Sequence, residues 1–386
     1  MNIFLTGATG FLGGELLVVL SKRLDVDKIF CLVRANNEEE GQERIEKIFK
    51  LHDDYFDEKK IFPVLGNLID DNLQSQLENN PNLQNIDVII HSAANTSFSK
   101  IYDSLVEKVN IHGFNSILQW SKNLKSLKTF VYVGTATICG KGVTHCLVHE
   151  DDSPNVNSTH FVKYTFTKMT SEMMLRKELP EDKILVVRPS IIMGDSRELI
   201  PRSPVILWTL ATLNLMRLVP VNPVAKLDII PVDYAANSIV ELLFANRHYT
   251  TYHVSSGEAS MTDSKKVTDS IEGQFPDKPV FKFVQRALMS QMKNWSRNRL
   301  QPESELHNHI EYLDYWSNIF EDNSKLRILF AGLEPYIEFI ELGQIFDNSR
   351  LLEDTNMGNS IPADIYINNS IKFLDKIDVF EGALDP

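Results

Sequence analysis

A seven-residue turn near the start, Gly7-Ala8-Thr9-Gly10-Phe11-Leu12-Gly13, restricts this chain's fold more than any other feature. The apolar run Asn2–Thr6 leads straight into it and reads as a buried strand. A helix pattern over Phe11–Leu24 leads out. In a strand-to-helix turn of this kind the first glycine permits the tight bend and the second lets the backbone approach a pyrophosphate. The third lets the helix pack closely on the strand. The unbonded N–H groups of the helix N-terminus then face the phosphates. Gly7, Gly10 and Gly13, with Thr9, Phe11 and Leu12 among them, are therefore candidate dinucleotide-binding residues.

The next 180 or so residues repeat the same alternation. Short apolar runs at Lys28–Val33, Ile61–Leu65, Val88–His91, Thr129–Val133 and Ile184–Val187 read as strands. Helix patterns at Glu38–Leu51, Ser104–Asn123 and Tyr164–Leu179 lie between them. Runs such as Asp87-Val88-Ile89-Ile90 have no polar face, as expected of strands covered on both sides. The pattern predicts an α/β fold, a Rossmann-type doubly wound parallel sheet. Residues 1–260 form its NADP-binding domain, with a substrate-side segment around 195–225. Residues 261–386, richer in charge and aromatics, read as a mainly helical substrate-side or interaction region.

Composition removes several classes of function. The net charge of -13 comes without any Lys/Arg cluster, which argues against nucleic-acid binding. Three cysteines, Cys31, Cys139 and Cys146, make no disulfide framework and fit a reducing compartment. The first motif begins within six residues of Met1, leaving no room for a signal peptide ahead of it, so a cytoplasmic location is expected. The longest apolar run, Val205 to Val219, is interrupted by Thr209, Thr212, Asn214 and Arg217 and is too short for a transmembrane segment. Cys139, His145, Cys146 and His149 crowd together, but their spacing fits no structural zinc pattern, and no metal is expected.

Cofactor choice is read at the end of the second strand, where an acidic residue suits a ribose hydroxyl and an arginine suits a 2′-phosphate. Arg34 occupies that end, which favours NADPH. Arg44 reads either as a second phosphate ligand or as an ordinary solvated helix charge. Asn67 and Leu68 follow the third strand, and Ala93 and Ala94 the fourth, where adenine and ribose edges would lie.

Tyr164 and Lys168 are four positions apart and share one helix face. An ammonium near a phenol favours the phenolate, so Lys168 is expected to lower the Tyr164 pKa and fit it for acid–base work. Tyr55 and Lys59 show the same interval, but in a charged stretch before the third strand. The Tyr164 pair instead opens a helix after the fifth strand. That strand ends in Thr135 and Thr137, and Thr135, 29 residues before Tyr164, is the better donor to a substrate carbonyl.

With these residues in place, the first 260 positions resemble the extended short-chain dehydrogenase/reductases. The likeness rests on Thr6-Gly7-Ala8-Thr9-Gly10-Phe11-Leu12-Gly13, Tyr164-x-x-x-Lys168, Arg188-Pro189-Ser190 and Pro231-Val232-Asp233-Tyr234. Within that family the chain is most similar to fatty acyl-CoA reductases and thioester reductase domains. The residues carrying this are Cys31-Leu32-Val33-Arg34-Ala35 with Arg44, Tyr102-x-x-Leu105-x-x-x-x-Asn110-x-x-Gly113, Gly194-Asp195-Ser196 and a short Phe346-Asp347-Asn348. Gly134 and Thr167 stand where serines are usual, and Asn67 where an aspartate is usual.

The resemblance implies reduction by NADPH of an acyl thioester, carried on coenzyme A or a carrier protein, to an aldehyde and onward to an alcohol. It implies that Tyr164 and Thr135 polarise the carbonyl, Lys168 holds the nicotinamide ribose and Asn110 positions a relay water. Pro189 and Ser190 would join the cofactor site. The apolar helix beginning at Pro204 offers Trp208, Leu213 and Met216 as acyl-chain contacts, or else is a plain core or dimer helix. Two other functions stay open at this level: a sugar-nucleotide or hydroxysteroid enzyme of the same family, and a non-catalytic NADP-binding regulator.

Overall fold

The computed structural model describes residues 1–140, 146–152, 157–197, 204–320 and 323–380. Seven strands form one parallel sheet: β1 (Asn2–Thr6), β2 (Lys28–Val33), β3 (Ile61–Leu65), β4 (Val88–His91), β5 (Thr129–Val133), β6 (Ile184–Pro189) and β7 (Thr251–Val254). Their spatial order is β7-β6-β5-β4-β1-β2-β3, the doubly wound arrangement the alternation predicts. Strand order reverses between β1 and β4, so a crevice opens there at the carboxyl ends of the strands. Pro63 is tolerated in β3 because that strand pairs only with β2 and lies at the sheet edge. β7 was not anticipated, because Thr251-Tyr252-His253-Val254 is short and half polar.

Alternation along the strands builds two cores. Ile3 and Leu5 point to one face, where α1 (Phe11–Ser21) and a later helix supply Leu16, Leu17 and Ile239. Phe4, Ile89, Phe130 and Val186 point to the other, against Phe114, Ile117 and Trp120. Both faces are therefore apolar, which is why the strands read as unbroken hydrophobic runs. α2 (Glu38–Leu51) keeps its predicted bounds, and its N-cap Asn37 accepts from the Glu40 N–H at 2.9 Å.

The helix expected over Ser104–Asn123 is not uniform. A short α-turn, Asp103–Glu107, passes into a π-helical stretch, Lys108–Gly113, before α3 (Phe114–Lys122). Gly113 lies against the loop after β3, where an added Cβ would sit 2.5 Å from the Leu68 oxygen. The widened turn falls on Asn110, and single π-turns of this kind often mark functional positions.

α4 (Lys163–Glu178) follows β5 and lies within a residue of its expected bounds. α5 (Pro204–Met216) stops at Arg217, a buried residue at φ 60 whose guanidinium donates to the Asn214 oxygen at 2.9 Å and the Pro279 oxygen at 3.1 Å. α6 (Val232–Phe244) covers the sheet beside α1. Beyond residue 260 the chain is mostly helical, and α7 (Asn323–Ile340) packs near α5. The chain then returns to the sheet. Ile345–Phe346 pairs with Leu147–Val148, and Leu351 enters the same core as Ile3 and Leu5.

Candidate active site

One cavity of about 960 Å³ opens at the crevice between β1 and β4 and runs toward α5 and α7. Its inner end is the glycine turn. Gly7 has φ 78, and a Cβ there would meet the Ala93 nitrogen at 2.8 Å. At Gly13 a Cβ would fall 2.0 Å from the Gly7 oxygen, so helix α1 reaches this position only because side chains are missing. No side chain caps α1 at Gly10, and its first turn holds no acidic residue. A phosphate would therefore meet free N–H groups and no opposing charge. Thr6 fixes the facing loop: its hydroxyl accepts from the Ala93 N–H at 3.1 Å and lies 3.1 Å from His91 Nδ1. Burial, followed by the Lys168 charge, pushes His91 down to about 3, so its ring stays neutral.

Every residue expected to bind cofactor lines this cavity: Gly7, Thr9, Gly10, Phe11, Leu12, Gly13, Arg34, Arg44, Asn67, Leu68, Ala93, Ala94, Tyr164, Lys168, Pro189 and Ser190. Arg44 donates through Nη1 to the Arg34 backbone carbonyl, and both residues line the cavity where β2 ends. Glycine cradle and uncapped helix together fit a dinucleotide.

Thr135, Tyr164 and Lys168 line the same cavity. The Thr135 hydroxyl lies 3.1 Å from that of Thr137 and hydrogen-bonds Tyr164. Lys168 donates to the Val133 oxygen at 2.5 Å and stands 4.8 Å above the Tyr132 ring. The expected lowering of the Tyr164 pKa by Lys168 is not what this geometry produces. Burial pushes the phenol up to about 12, and the group easing it downward is Thr135. Lys168 is itself desolvated, down to about 7 with Glu172 countering, so its own charge is weakened. Tyr55, which shares the spacing, lies exposed outside any helix.

Asn110 is buried behind this group rather than lining the cavity. Its Oδ1 accepts from the Asn95 N–H at 2.8 Å, and its Nδ2 donates to the Asn95 oxygen at 2.9 Å and to Thr167 Oγ1 at 3.0 Å. Thr167 in turn donates to the Tyr164 carbonyl at 2.8 Å. The amide thus clamps the Asn95 loop to the first turn of α4, and Thr167 supplies the hydroxyl a serine would otherwise bring. Of the three acyl-contact candidates only Leu213 lines the cavity. Trp208 and Met216 do not line it and are buried in a core with Trp316 and Phe330 that Leu213 also joins. An apolar helix buried all round cannot aim every large side chain at one ligand.

Other parts of the site were given no role by the sequence, although Arg188 stands in one of the motifs it showed. Arg188 donates to both Glu172 carboxylate oxygens, at 3.0 and 2.7 Å, in a buried pair beneath Lys168. Phe98, Tyr336 and Phe339 form an aromatic wall next to Tyr164, with Phe98 centred 6.1 Å from the Tyr164 ring. They come from distant parts of the chain, so no local spacing reveals them. Among the described residues no group of three His, Cys, Asp or Glu side chains could hold a metal, and His145 lies outside those residues. No described helix is long and apolar enough to cross a membrane.

Sheet order, glycine cradle and the Tyr164–Lys168 helix together define an extended short-chain dehydrogenase/reductase. More narrowly, residues 5–239 match the model of the NAD-binding Male sterility protein family, and the chain belongs to that family. It is 25% identical over 321 residues to fatty acyl-CoA reductase 1 of Rattus norvegicus, covering 72% of this chain and 62% of that protein. It is 31% identical over 249 residues to a linear gramicidin synthase protein of Brevibacillus parabrevis, covering 62% of this chain but 5% of that protein. The chain spans between 50% and 62% of the fatty acyl-CoA reductases of Arabidopsis thaliana and rat. Among solved structures, the terminal R domain of the myxalamid PKS-NRPS pathway superposes with a TM-score of 0.72 at 23% identity, covering 97% of this chain and 90% of that one.

Proposed function

We propose that the chain is an NADPH-dependent reductase of acyl thioesters, taking a fatty acyl-CoA or an acyl-carrier-protein thioester to the aldehyde and, by a second reduction, to the alcohol. The observation that carries this reading is the continuity of one cavity. It joins a dinucleotide cradle with two arginines, the Thr135–Tyr164–Lys168 cluster, and an apolar wall that includes Leu210, Leu213, Val219 and Ile340. A sugar nucleotide would need polar partners along that wall, whereas a hydrocarbon chain does not.

Gly7, Gly10, Gly13 and the N-terminus of α1 would hold the pyrophosphate, with Arg34 and Arg44 on the 2′-phosphate. Bound NADPH supplies the hydride. The chain's own residues act on the carbonyl oxygen. Tyr164, held protonated by burial, donates to it as negative charge develops, and Thr135 both orients the phenol and offers a second hydroxyl. Lys168 lies behind them with a pKa near neutrality, suited to replacing the proton that Tyr164 gives up. The hemithioacetal so formed expels the thiol and leaves the aldehyde.

Incubation with NADPH or NADH and a panel of acyl-CoA and acyl-carrier thioesters, with products identified by mass spectrometry, tests the reading. Aldehyde formation with NADPH, abolished in Tyr164→Phe, is the expected result. NADPH consumption that survives Tyr164→Phe unchanged refutes the catalytic assignment.

A further inference from the structure

Lys168 is held at both ends by one side chain, that of Tyr132 on β5. The Tyr132 hydroxyl donates to the Lys168 carbonyl at 3.0 Å, and the Lys168 ammonium stands over the Tyr132 ring, 4.8 Å from its centre. That ring is buried, edge-on to Phe114 at 5.1 Å and parallel to His91 at 6.2 Å. His91 continues the contact toward the cofactor cradle. Its Nδ1 lies 3.1 Å from the Thr6 hydroxyl, which accepts from the Ala93 N–H.

A buried ammonium needs partners for its charge. The Lys168 nitrogen donates to the Val133 oxygen at 2.5 Å. Glu172, one turn along α4, counters its desolvation, but that carboxylate is already shared by Arg188 on β6 and by Arg176, at 2.7 and 2.9 Å. His91 on β4 stays neutral, and burial keeps the Tyr164 and Tyr132 phenols protonated, so none of these supplies negative charge. The face of the Tyr132 ring does. An aromatic face attracts an ammonium within about 6 Å, and the attraction grows where water is excluded.

We propose that Tyr132 is a positioning residue for the reaction: its ring face holds Lys168 as an ammonium, and its hydroxyl fixes the turn of α4 from which that side chain leaves. Only the charged lysine can return a proton to Tyr164. Without the ring face it is neutral through more of the working pH range. That role in turnover rests on the reductase reading, whereas the hold on the ammonium does not.

The test replaces Tyr132 by phenylalanine and by phenylalanines bearing two or five ring fluorines. The fluorinated rings keep the ring shape while removing negative charge from its face. In protein labelled with carbon-13 at lysine Cε, the Lys168 signal is identified by its loss in Lys168→Met. Its titration is then followed by NMR without nucleotide. Tyr132→Phe is expected to titrate as wild type does. Five fluorines should lower the midpoint by about one pH unit, an about tenfold loss of proton affinity, and two fluorines by less. With NADPH and hexadecanoyl-CoA, the alkaline limb of the turnover profile should move down in parallel. A residue that merely fills space would show no dependence on ring charge. The proposal is overturned if the midpoint stays or rises across the fluorinated series, or falls as far in Tyr132→Phe, which would assign the effect to the hydroxyl. A shifted midpoint beside an unshifted limb overturns the role in the reaction. A shifted midpoint with no reduction of any thioester would sink the reductase reading and leave the hold on Lys168 standing.

Discussion

Lys168 should make the folded chain less stable at neutral pH, and replacing it with methionine should show by how much. Its pKa is about 7 in the fold, against 10.5 for a free lysine, because burial disfavours the ammonium. Between those values the unfolded chain holds a proton that the folded chain has released, so stability rises with pH across that window. The penalty is full below about pH 7 and vanishes above about pH 10.5. At about 1.4 kcal/mol per unit, it amounts to about 4 kcal/mol at pH 7 and about 2 kcal/mol at pH 9. Lys168→Met removes this penalty but also the bond to the Val133 oxygen, worth about 1 kcal/mol. Glu172 keeps Arg188 and Arg176 as partners in the variant, so no new unpaired charge is created. The variant should therefore be more stable than wild type by about 2–3 kcal/mol at pH 7, with the gap shrinking by about 2 kcal/mol at pH 9. Urea unfolding of both proteins at the two pH values, without nucleotide, measures this, and titrations common to both cancel in the difference. A gap that does not change with pH would refute the reasoning, as would a variant less stable at pH 7. The same variant should show no turnover.

Gly13→Ala should weaken NADPH binding at least about tenfold, since its methyl would stand 2.0 Å from the Gly7 oxygen; a fluorescence titration with unchanged affinity would show that the cradle is not the nucleotide seat. Arg34→Ala should cost about tenfold in NADPH affinity and leave NADH binding nearly unaltered, whereas equal losses for both would remove its role at the 2′-phosphate. Glu172→Gln leaves the Arg188 guanidinium buried beside a neutral partner and should cost about 3 kcal/mol in urea unfolding; a loss below about 1 kcal/mol would mean the pair is not needed.

Most of the nucleotide-binding half was legible because its determinants are local. A strand covered on both faces must be apolar throughout, and a close helix–strand approach demands glycine, so Asn2–Thr6 and Gly7–Gly13 announce themselves in consecutive residues. The Tyr164–Lys168 helix was legible for the same reason. What failed to show were properties set by surroundings. The Tyr164 pKa goes up rather than down because burial outweighs its neighbours. Side-chain spacing carries no information about desolvation. Trp208 and Leu213 are both large and apolar on one helix, yet only Leu213 meets the cavity, because their positions turn them in different directions and the sequence does not say on which side the cavity lies.

The short Phe346-Asp347-Asn348 segment shows how that distant part is kept in register with the nucleotide site. Asp228, buried with its carboxyl pushed upward by desolvation, accepts from the Phe346 N–H at 3.0 Å and from the Ser256 N–H at 2.7 Å. The Phe346 oxygen accepts from Ser255 Oγ at 2.9 Å, and Asn348 Nδ2 donates to the Ser255 oxygen at 3.2 Å. Gly257, at φ 61, is required because a Cβ would sit 2.5 Å from Asn348 Oδ1. These bonds tie the chain just past α7 to the end of β7, whose neighbour β6 carries Pro189 and Ser190 into the cavity. Tyr336 and Phe339 near the end of α7 are thereby anchored to the same sheet that orients Tyr164. Residues so far along the chain are held against the Tyr164 side of the cavity by this fastening. The motif therefore serves the site through position, without touching what binds there.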